Sequence, residues 1–406
     1  MSSDVPETHN MEPRRWVPPE ERRPMSSGPG DVLQLIRRAE ANTRRDIQQL
    51  TGLSRMTVAQ RVDALMDAGL VIEDAGAGGA TGGRRPDRLS FHVDRSVLAV
   101  ATVDTAHSRT ALTDLSGRII VSDAVDVAIS EGPERVLDAL AASMRRLVDE
   151  ASDGRPLVGT GISVPGPIDP STRRPSQPPI MPGWDAYPIA EHLAEVIPVP
   201  TFVENDADAM AFGEQSTNFA GSNAVCLIKV STGIGAGLVI NGSVYHGIDG
   251  GAGDIGHIRL AGETAICQCG SRGCLAAVAS GRAVAVKLDE LGIPAGSGRD
   301  VGRLLQAGNV DALSLTHEAG RRIGEVMATV VSMINPGVLV VSGDLASNEL
   351  LGGLRETLYP RSLPRATRNL DIRLGELREQ AGPIGMARIV TDALYSADAI
   401  NHHLAA

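Results

Sequence analysis

Two stretches decide how this chain is read. They are Ala252-Gly-Asp-Ile-Gly-His257 and, a short step on, Cys267-Gln-Cys-Gly-Ser-Arg-Gly-Cys274. Cys267, Cys269, Cys274 and His257 supply three thiolates and one imidazole, the four-donor shell that zinc prefers. The intervening glycines let the loop close tightly round an ion. Four protein donors leave no coordination position for water, so the zinc expected here is structural. Four unrelated residues rarely fall into the pattern Cys-x-Cys-Gly-x-x-Gly-Cys. The remaining cysteine, Cys226, lies in the apolar run Ala-Val-Cys-Leu-Ile and reads as a buried thiol. Clustering of three among four cysteines favours metal binding in a reducing compartment over a disulfide framework.

Upstream, Ser231-Thr-Gly-Ile-Gly-Ala-Gly237 is glycine-rich and flanked by strand-like sequence. Its backbone N–H groups suit a phosphate cradle, and taken alone it reads equally well as a tight hairpin. Glu204-Asn205-Asp206 follows the apolar strand expected at Val199 to Val203. The carboxyl end of a strand is where α/β folds place their sites, although an isolated Asn-Asp pair also reads as a helix cap. Further strands are expected at Val97–Val103, Thr110–Leu115 and Val158–Val164, with a helix over Pro133–Ala151. Alternation of strands and helices predicts an α/β body.

These stretches together resemble the ROK family of bacterial sugar kinases and sugar-responsive repressors. The resemblance rests on Ser-Val-Pro-Gly-Pro-Ile-Asp at 163–169, Met-Pro-Gly-Trp at 181–184 and Glu-Asn-Asp-Ala-Asp-Ala at 204–209. It continues through Ser231–Gly237 and Ala252–His257 into the cysteine cluster. It implies an actin-like (ribonuclease-H-like) fold of two lobes, 96–215 and 216–406, with the C-terminal helix either in the second lobe or back on the first. It also implies a sugar site at Gly166, Asn205, Asp206, Asp254 and His257. In the kinases the residue matching Asp206 is the general base, Asn205 binds a neighbouring hydroxyl, and His257 would bind zinc through one nitrogen and face the sugar through the other.

The sequence departs from the kinase pattern on the nucleotide side. The family's Asp-x-Gly-Gly-Thr-Lys becomes Asp104-Thr-Ala-His-Ser-Arg109, so a Cβ stands where phosphate approaches the backbone. Arg109 keeps a positive charge without the compact ammonium. Ser342-Gly343-Asp344 replaces a glycine pair or triplet and adds negative charge. On the sugar side Asp254 stands for Glu, and Ala276 replaces a Glu expected after the last cysteine. The reading that follows is a regulator in which Asp206 is a vestigial base, ATP is not bound and the cleft senses a carbohydrate. The alternative is an active ATP-dependent sugar kinase with Asp206 as general base.

The segment before the body differs in character. Residues 1–95 carry 14 Arg and 14 acidic residues, so the whole net charge of −11 falls on the remainder. Residues 1–28 are rich in Pro, Glu, Arg and Ser and are expected to form a disordered arm. Residues 29–92 outline a winged helix-turn-helix. One apolar face runs along Val32 to Ala39, a second helix is capped by Thr43, and Ser54 caps a third helix with Val58, Val62, Leu65 and Met66 inward. Ser54, Arg55, Thr57, Gln60 and Arg61 are the expected groove contacts. Arg84 and Arg85, in Thr-Gly-Gly-Arg-Arg-Pro, are the expected wing cations. A purely structural three-helix domain is the competing reading, and the near-neutral local charge counts in its favour.

The expected partners are double-stranded DNA at a palindromic operator, a sugar or sugar derivative, and a second copy of the chain in a dimer or tetramer. No apolar run spans a bilayer and no signal pattern opens the sequence, so no membrane partner is expected and the expected location is the cytoplasm.

Overall fold

One strand order occurs twice in the body. β3 (Val97–Val103), β4 (Ser108–Asp114) and β5 (Ile119–Val125) form an antiparallel meander, and β6 (Leu157–Val164) and β7 (Thr201–Asn205) then add parallel to β3, giving the order β5-β4-β3-β6-β7. β8 (Ala224–Val230), β9 (Ile234–Ile240) and β10 (Ser243–Val244) repeat the meander. β11 (Val338–Ser342) and β12 (Asp371–Leu374) then extend the sheet in parallel, giving β10-β9-β8-β11-β12. Both sheets thus follow the same path and form the two lobes of an actin-like α/β body. This computed structural model describes residues 28–74, 87–105 and 108–405. The expected arm before residue 28, the wing residues Arg84 and Arg85, and Ala106 and His107 of the altered phosphate loop lie outside the described residues.

Two compact units divide the chain. The first contains α1 (Pro29–Arg37), α2 (Arg44–Thr51), α3 (Arg55–Asp67) and the antiparallel pair β1 (Val71–Asp74) and β2 (Arg88–Phe91). The local sequence explains these limits. Thr43 Oγ1 accepts the Asp46 N–H at 3.1 Å and Ser54 Oγ accepts the Thr57 N–H at 3.1 Å, satisfying donors that helix starts leave free. Leu33, Ile47, Val58, Val62 and Leu65 form the buried centre.

The same unit takes in the end of the chain, residues 395–406. α14 (Ala397–Ala405) packs on α1, where Asn401 Oδ1 accepts the Gly30 N–H at 2.7 Å. Gln34 Nε2 donates to the Tyr395 carbonyl at 2.7 Å, and the Tyr395 ring meets Phe91 edge-on with centroids 5.3 Å apart. The range 216–406 expected for the second lobe is therefore too long, because its last helix completes the N-terminal unit. Ile400 and Tyr395 are buried in the N-terminal unit, and that burial supplies the reason.

The second unit, 93–394, holds both sheets. In the first lobe α4 (Pro133–Ala151) and α5 (Ile189–Val196) cover one face around Leu137, Leu140, Met144 and Trp184. α6 (Asp206–Asn218) follows β7 directly. In the second lobe α7 (Leu275–Ala279), α8 (Gly281–Glu290), α9 (Gly298–Gln306), α10 (Val310–Ile334), α11 (Asn348–Arg361) and α12 (Pro364–Thr367) surround a core that includes Ile228, Ile323, Met327 and Leu354. α13 (Ala381–Leu394) returns to lie on β3, β6 and α6. Glycine permits the α6–α13 contact, since a Cβ on Gly385 would stand 1.7 Å from the Ala209 carbonyl oxygen. Among the described residues, no helix is long and apolar enough to cross a membrane.

Candidate functional site

The repeated topology brings the carboxyl ends of β3, β6, β8 and β11 to one cleft of about 1400 Å³. Asp104 directly follows β3, Asp206 opens α6, Lys229 lies near the end of β8, and Ser342-Gly343-Asp344 ends β11 and leaves it. Parallel pairing sets Lys229 opposite Ser342. Lys229 Nζ donates to Asp206 Oδ2 at 2.6 Å and stands 3.7 Å from Asp104 Oδ2. The expected base thus has its carboxylate bound by an internal ammonium. Burial alone would lower the pKa of Lys229, but Asp104 and Asp206 outweigh it and hold the ammonium well above its ordinary range. Burial likewise works to raise Asp104, yet Lys229, the Thr105 N–H and Arg299 bring it below the usual carboxylate value. Asp344 is raised, by burial first and then by Asp104.

Lys229 was missed in the sequence, although a signal was present. It is one of two lysines in the chain, against 36 arginines, and it interrupts an apolar strand. Its compact ammonium carries three donors and stands between two carboxylates. Arg109, the substitute for the phosphate-loop lysine, turns to Glu379 Oε2 at 2.5 Å. The segment after β3 meets the glycine-rich loop through Thr105 Oγ1 and Thr232 Oγ1, 2.7 Å apart. Gly237 serves packing, because a Cβ there would lie 2.3 Å from the Ala207 carbonyl oxygen.

The residues expected to hold a sugar are differently engaged. Asn205 is the N-cap of α6: its Oδ1 accepts the Ala207 and Asp208 N–H groups at 2.9 and 3.1 Å, and its Nδ2 donates to the Gly166 carbonyl at 2.8 Å. The capping role open to an Asn-Asp pair is thus realised, and the same bond ties Gly166 to the start of α6. Asp206 is buried and raised, chiefly by burial, with Lys229 opposing. Asp208 is raised well above the usual range by burial and by Glu204. Asp254 precedes the 3₁₀ turn Ile255–His257, and burial raises its carboxyl while His257 opposes. Ala276 packs partly buried against the second-lobe core.

The cysteine loop brings its four donors together. One donor atom each from His257, Cys267, Cys269 and Cys274 lies within 4.8 Å of the others. Cys267 Sγ is 3.7 Å from His257 Nδ1, and Cys269 Sγ is 3.8 Å from Cys274 Sγ. These spacings match the edge of a tetrahedron with metal–sulfur bonds of about 2.3 Å and exceed the roughly 2.05 Å of a disulfide. The Ser271 N–H draws the Cys269 thiol down to about 6, toward the thiolate that binds metals. Nδ1 is the imidazole nitrogen facing the sulfurs, which leaves Nε2 for another partner.

On the N-terminal unit, Ser54, Arg55 and Gln60 are exposed along the start and outer face of α3. Ser54 Oγ and Thr57 Oγ1 are 2.8 Å apart, so both hydroxyls take part in the cap. Arg61 is half-buried, with Nη1 lacking a hydrogen-bond partner among the described residues. Met56, 74% exposed beside Arg55, was overlooked because an apolar residue was not sought on the outer face. Arg44 is held by Glu73 and Asp63.

A family model described as "ROK family" matches residues 103–393, and one described as "Winged helix-turn-helix DNA-binding" matches 30–72. The chain is 28% identical over 365 residues to the xylose repressor of Bacillus spizizenii, covering 89% of this chain and 94% of the repressor. It is 30% identical over 261 residues to a glucokinase of Halalkalibacterium halodurans, covering 59% of this chain and 78% of the kinase. Its fold matches the crystal structure of a ROK family transcriptional regulator, a homologue of the E. coli MLC protein. The TM-score is 0.79 at 22% identity, over 93% of this chain and 98% of the other.

Proposed function

The chain belongs to the ROK family, and on that premise we propose that it is a sugar-responsive, DNA-binding transcriptional regulator, a repressor, whose kinase-like body binds a carbohydrate and no longer transfers phosphate. The observation that carries the loss of catalysis is the 2.6 Å bond from Lys229 to Asp206. A general base needs a free carboxylate within hydrogen-bond reach of the hydroxyl it deprotonates. Here one carboxylate oxygen, Oδ2, is bound by an ammonium that Asp104 also holds in place. The regulatory reading is supported by the winged helix on the same chain and by a relative named a xylose repressor that shares nearly its whole length. Repressor and glucokinase relatives both point to an aldose as the effector class.

In this reading Arg55, Gln60 and Arg61 meet base edges or phosphates. Ser54 and Thr57 present hydroxyls at the helix start, Arg84 and Arg85 reach a minor groove, and Met56 offers an apolar contact to a thymine methyl. Two copies of the chain place two recognition helices on a palindromic operator. Gly166, Asn205, Asp206, Asp254 and His257 surround the sugar. Zinc is the metal the donor set fits, and three thiolates with one imidazole would make it a structural ion that fixes the loop carrying Asp254 and His257. When bound, it would supply cross-linking of that loop and no chemistry.

The test is fluorescence anisotropy with DNA from the protein's own upstream region, with and without aldoses, alongside an ADP-release assay on the same sugars. The expected outcome is sequence-specific binding altered by one sugar class and no ADP release. Absence of specific DNA binding at low salt would sink the regulatory reading. Sugar-dependent ADP release lost in Asp206→Asn would favour the kinase.

A further inference from the structure

Outside the cysteine cluster, three more metal-competent side chains converge. Glu204 lies at the end of β7 and is 2% exposed, and Asp208 lies in the first turn of α6 and is 5% exposed. His246 follows β10. Its Nε2 is 2.9 Å from Glu204 Oε2, and one donor atom from each of the three lies within 4.8 Å of the others. Asp208 Oδ1 is buried and has no hydrogen-bond partner among the described residues. Two buried carboxylates lie side by side, one with an oxygen that nothing satisfies. Such an arrangement costs free energy unless a proton or a cation is supplied. Protein cations supply little of it. Arg173 Nη1 stands 3.8 Å from Glu204 Oε2, beyond hydrogen-bond distance, on a side chain that is half exposed.

We propose that Glu204, Asp208 and His246 form a second metal site that takes a divalent cation, distinct from the Cys₃His cluster. Two carboxylate oxygens and one imidazole nitrogen suit zinc or manganese, whereas the thiolate cluster selects zinc. Donors bound about 2.0–2.2 Å from an ion stand roughly 3–4 Å apart, which a small rotamer change at Asp208 provides. His246 Nε2 then turns from its hydrogen bond to the metal. The placement gives the ion a mechanical consequence. Glu204 and Asp208 flank Asn205 and Asp206 in the first lobe, while His246 opens the segment that runs to Asp254 and His257 in the second. An ion here would pin the loop after β10 to the end of β7 and the start of α6.

The experiment uses the full chain, stripped with chelator and titrated with Mn²⁺ alone by electron paramagnetic resonance, then with Zn²⁺ alone by calorimetry. A C267S/C269S variant removes the thiolate cluster. The expected result is one bound equivalent of Mn²⁺ or Zn²⁺ that survives in C267S/C269S. D208N and H246A should weaken it at least about tenfold, since loss of even an outer partner costs roughly 10–100-fold in affinity. D208N keeps the shape of the side chain. Thermal melts of metal-free D208N show whether it folds, and added Mn²⁺ should raise the melting temperature of wild type but not of D208N. No equivalent beyond the cysteine cluster, or one unaffected by D208N and H246A, overturns the proposal. None of these readouts depends on DNA binding or on a sugar response.

Discussion

Replacing Lys229 by Met would leave the buried Asp206 and the partly exposed Asp104 in one cleft without the ammonium they share. Breaking a buried ion pair from one side typically costs about 3–5 kcal/mol, so denaturant unfolding of K229M at pH 7 should show a loss of that order. Asp206→Asn should cost less, because Lys229 keeps Asp104 at 3.7 Å. Equal losses would mean that Asp104 contributes nothing. Cys226 gives a second expectation at this scale. Burial pushes its thiol up to about 12, so it should stay unmodified by thiol reagents at pH 8 in the folded protein and react only on unfolding. Mass mapping of the labelled cysteines checks this. Asp169 gives a third. The Ser171 hydroxyl, with the Thr172 and Ser171 N–H groups, lowers its carboxyl to about 2. A lowered acid contributes stability above its unfolded pKa and loses it as pH falls through the folded value. The turn after Gly166 should therefore keep its full stabilisation down to about pH 4 and lose it, together with the charge, as pH falls toward 2. An NMR titration of the Asp169 carboxylate with a midpoint near 4 would contradict this.

Single elements are tuned by close approach as much as by propensity. α6 and α13 touch where Gly385 meets the Ala209 carbonyl, so Gly385→Ala forces an overlap at 1.7 Å. Overpacking of this kind costs about 1–3 kcal/mol, and a thermal melt of G385A should fall accordingly. The helix limits over 133–151 and the strand over 97–103 could be read directly from apolar periodicity, and the caps of α2 and α3 from Thr43 and Ser54. The cysteine loop could be read from its spacing, since a metal's donors sit close in the chain. With zinc held as proposed, its removal by a chelator should blunt the sugar response while leaving DNA affinity in the absence of sugar nearly intact, because the four side chains all lie in the body. An apo-protein with a normal sugar response would argue against that coupling.

At the scale of the whole molecule, α1 and α14, far apart in sequence, belong to one folding unit. Truncation after Leu394 would remove Asn401 from Gly30, Tyr395 from Phe91 and the buried Ile400. The N-terminal unit should then unfold more readily and bind DNA more weakly, while the 93–394 body keeps its own melting transition. Calorimetry of the truncated protein would show the first transition lowered and the second preserved. The body, for its part, is one strand order used twice, and the cleft exists because both sheets present their strand ends to it.

The order of motifs along the chain was sufficient to predict an α/β body behind a winged helix and to single out the four clustered Cys and His side chains and the carboxylate at position 206. These signals are local: apolar period, cap residues, glycine turns and ligand spacing all act within a few residues. What the tertiary structure alone decided joins residues far apart in sequence. Lys229 reaches Asp206 across 23 positions, and Asn401 reaches Gly30 across 371. The Glu204, Asp208 and His246 cluster likewise needs a strand, a helix and a distant loop to meet. No periodicity encodes such contacts, because they depend on how whole elements pack and on which buried charges must find a partner once water has been excluded.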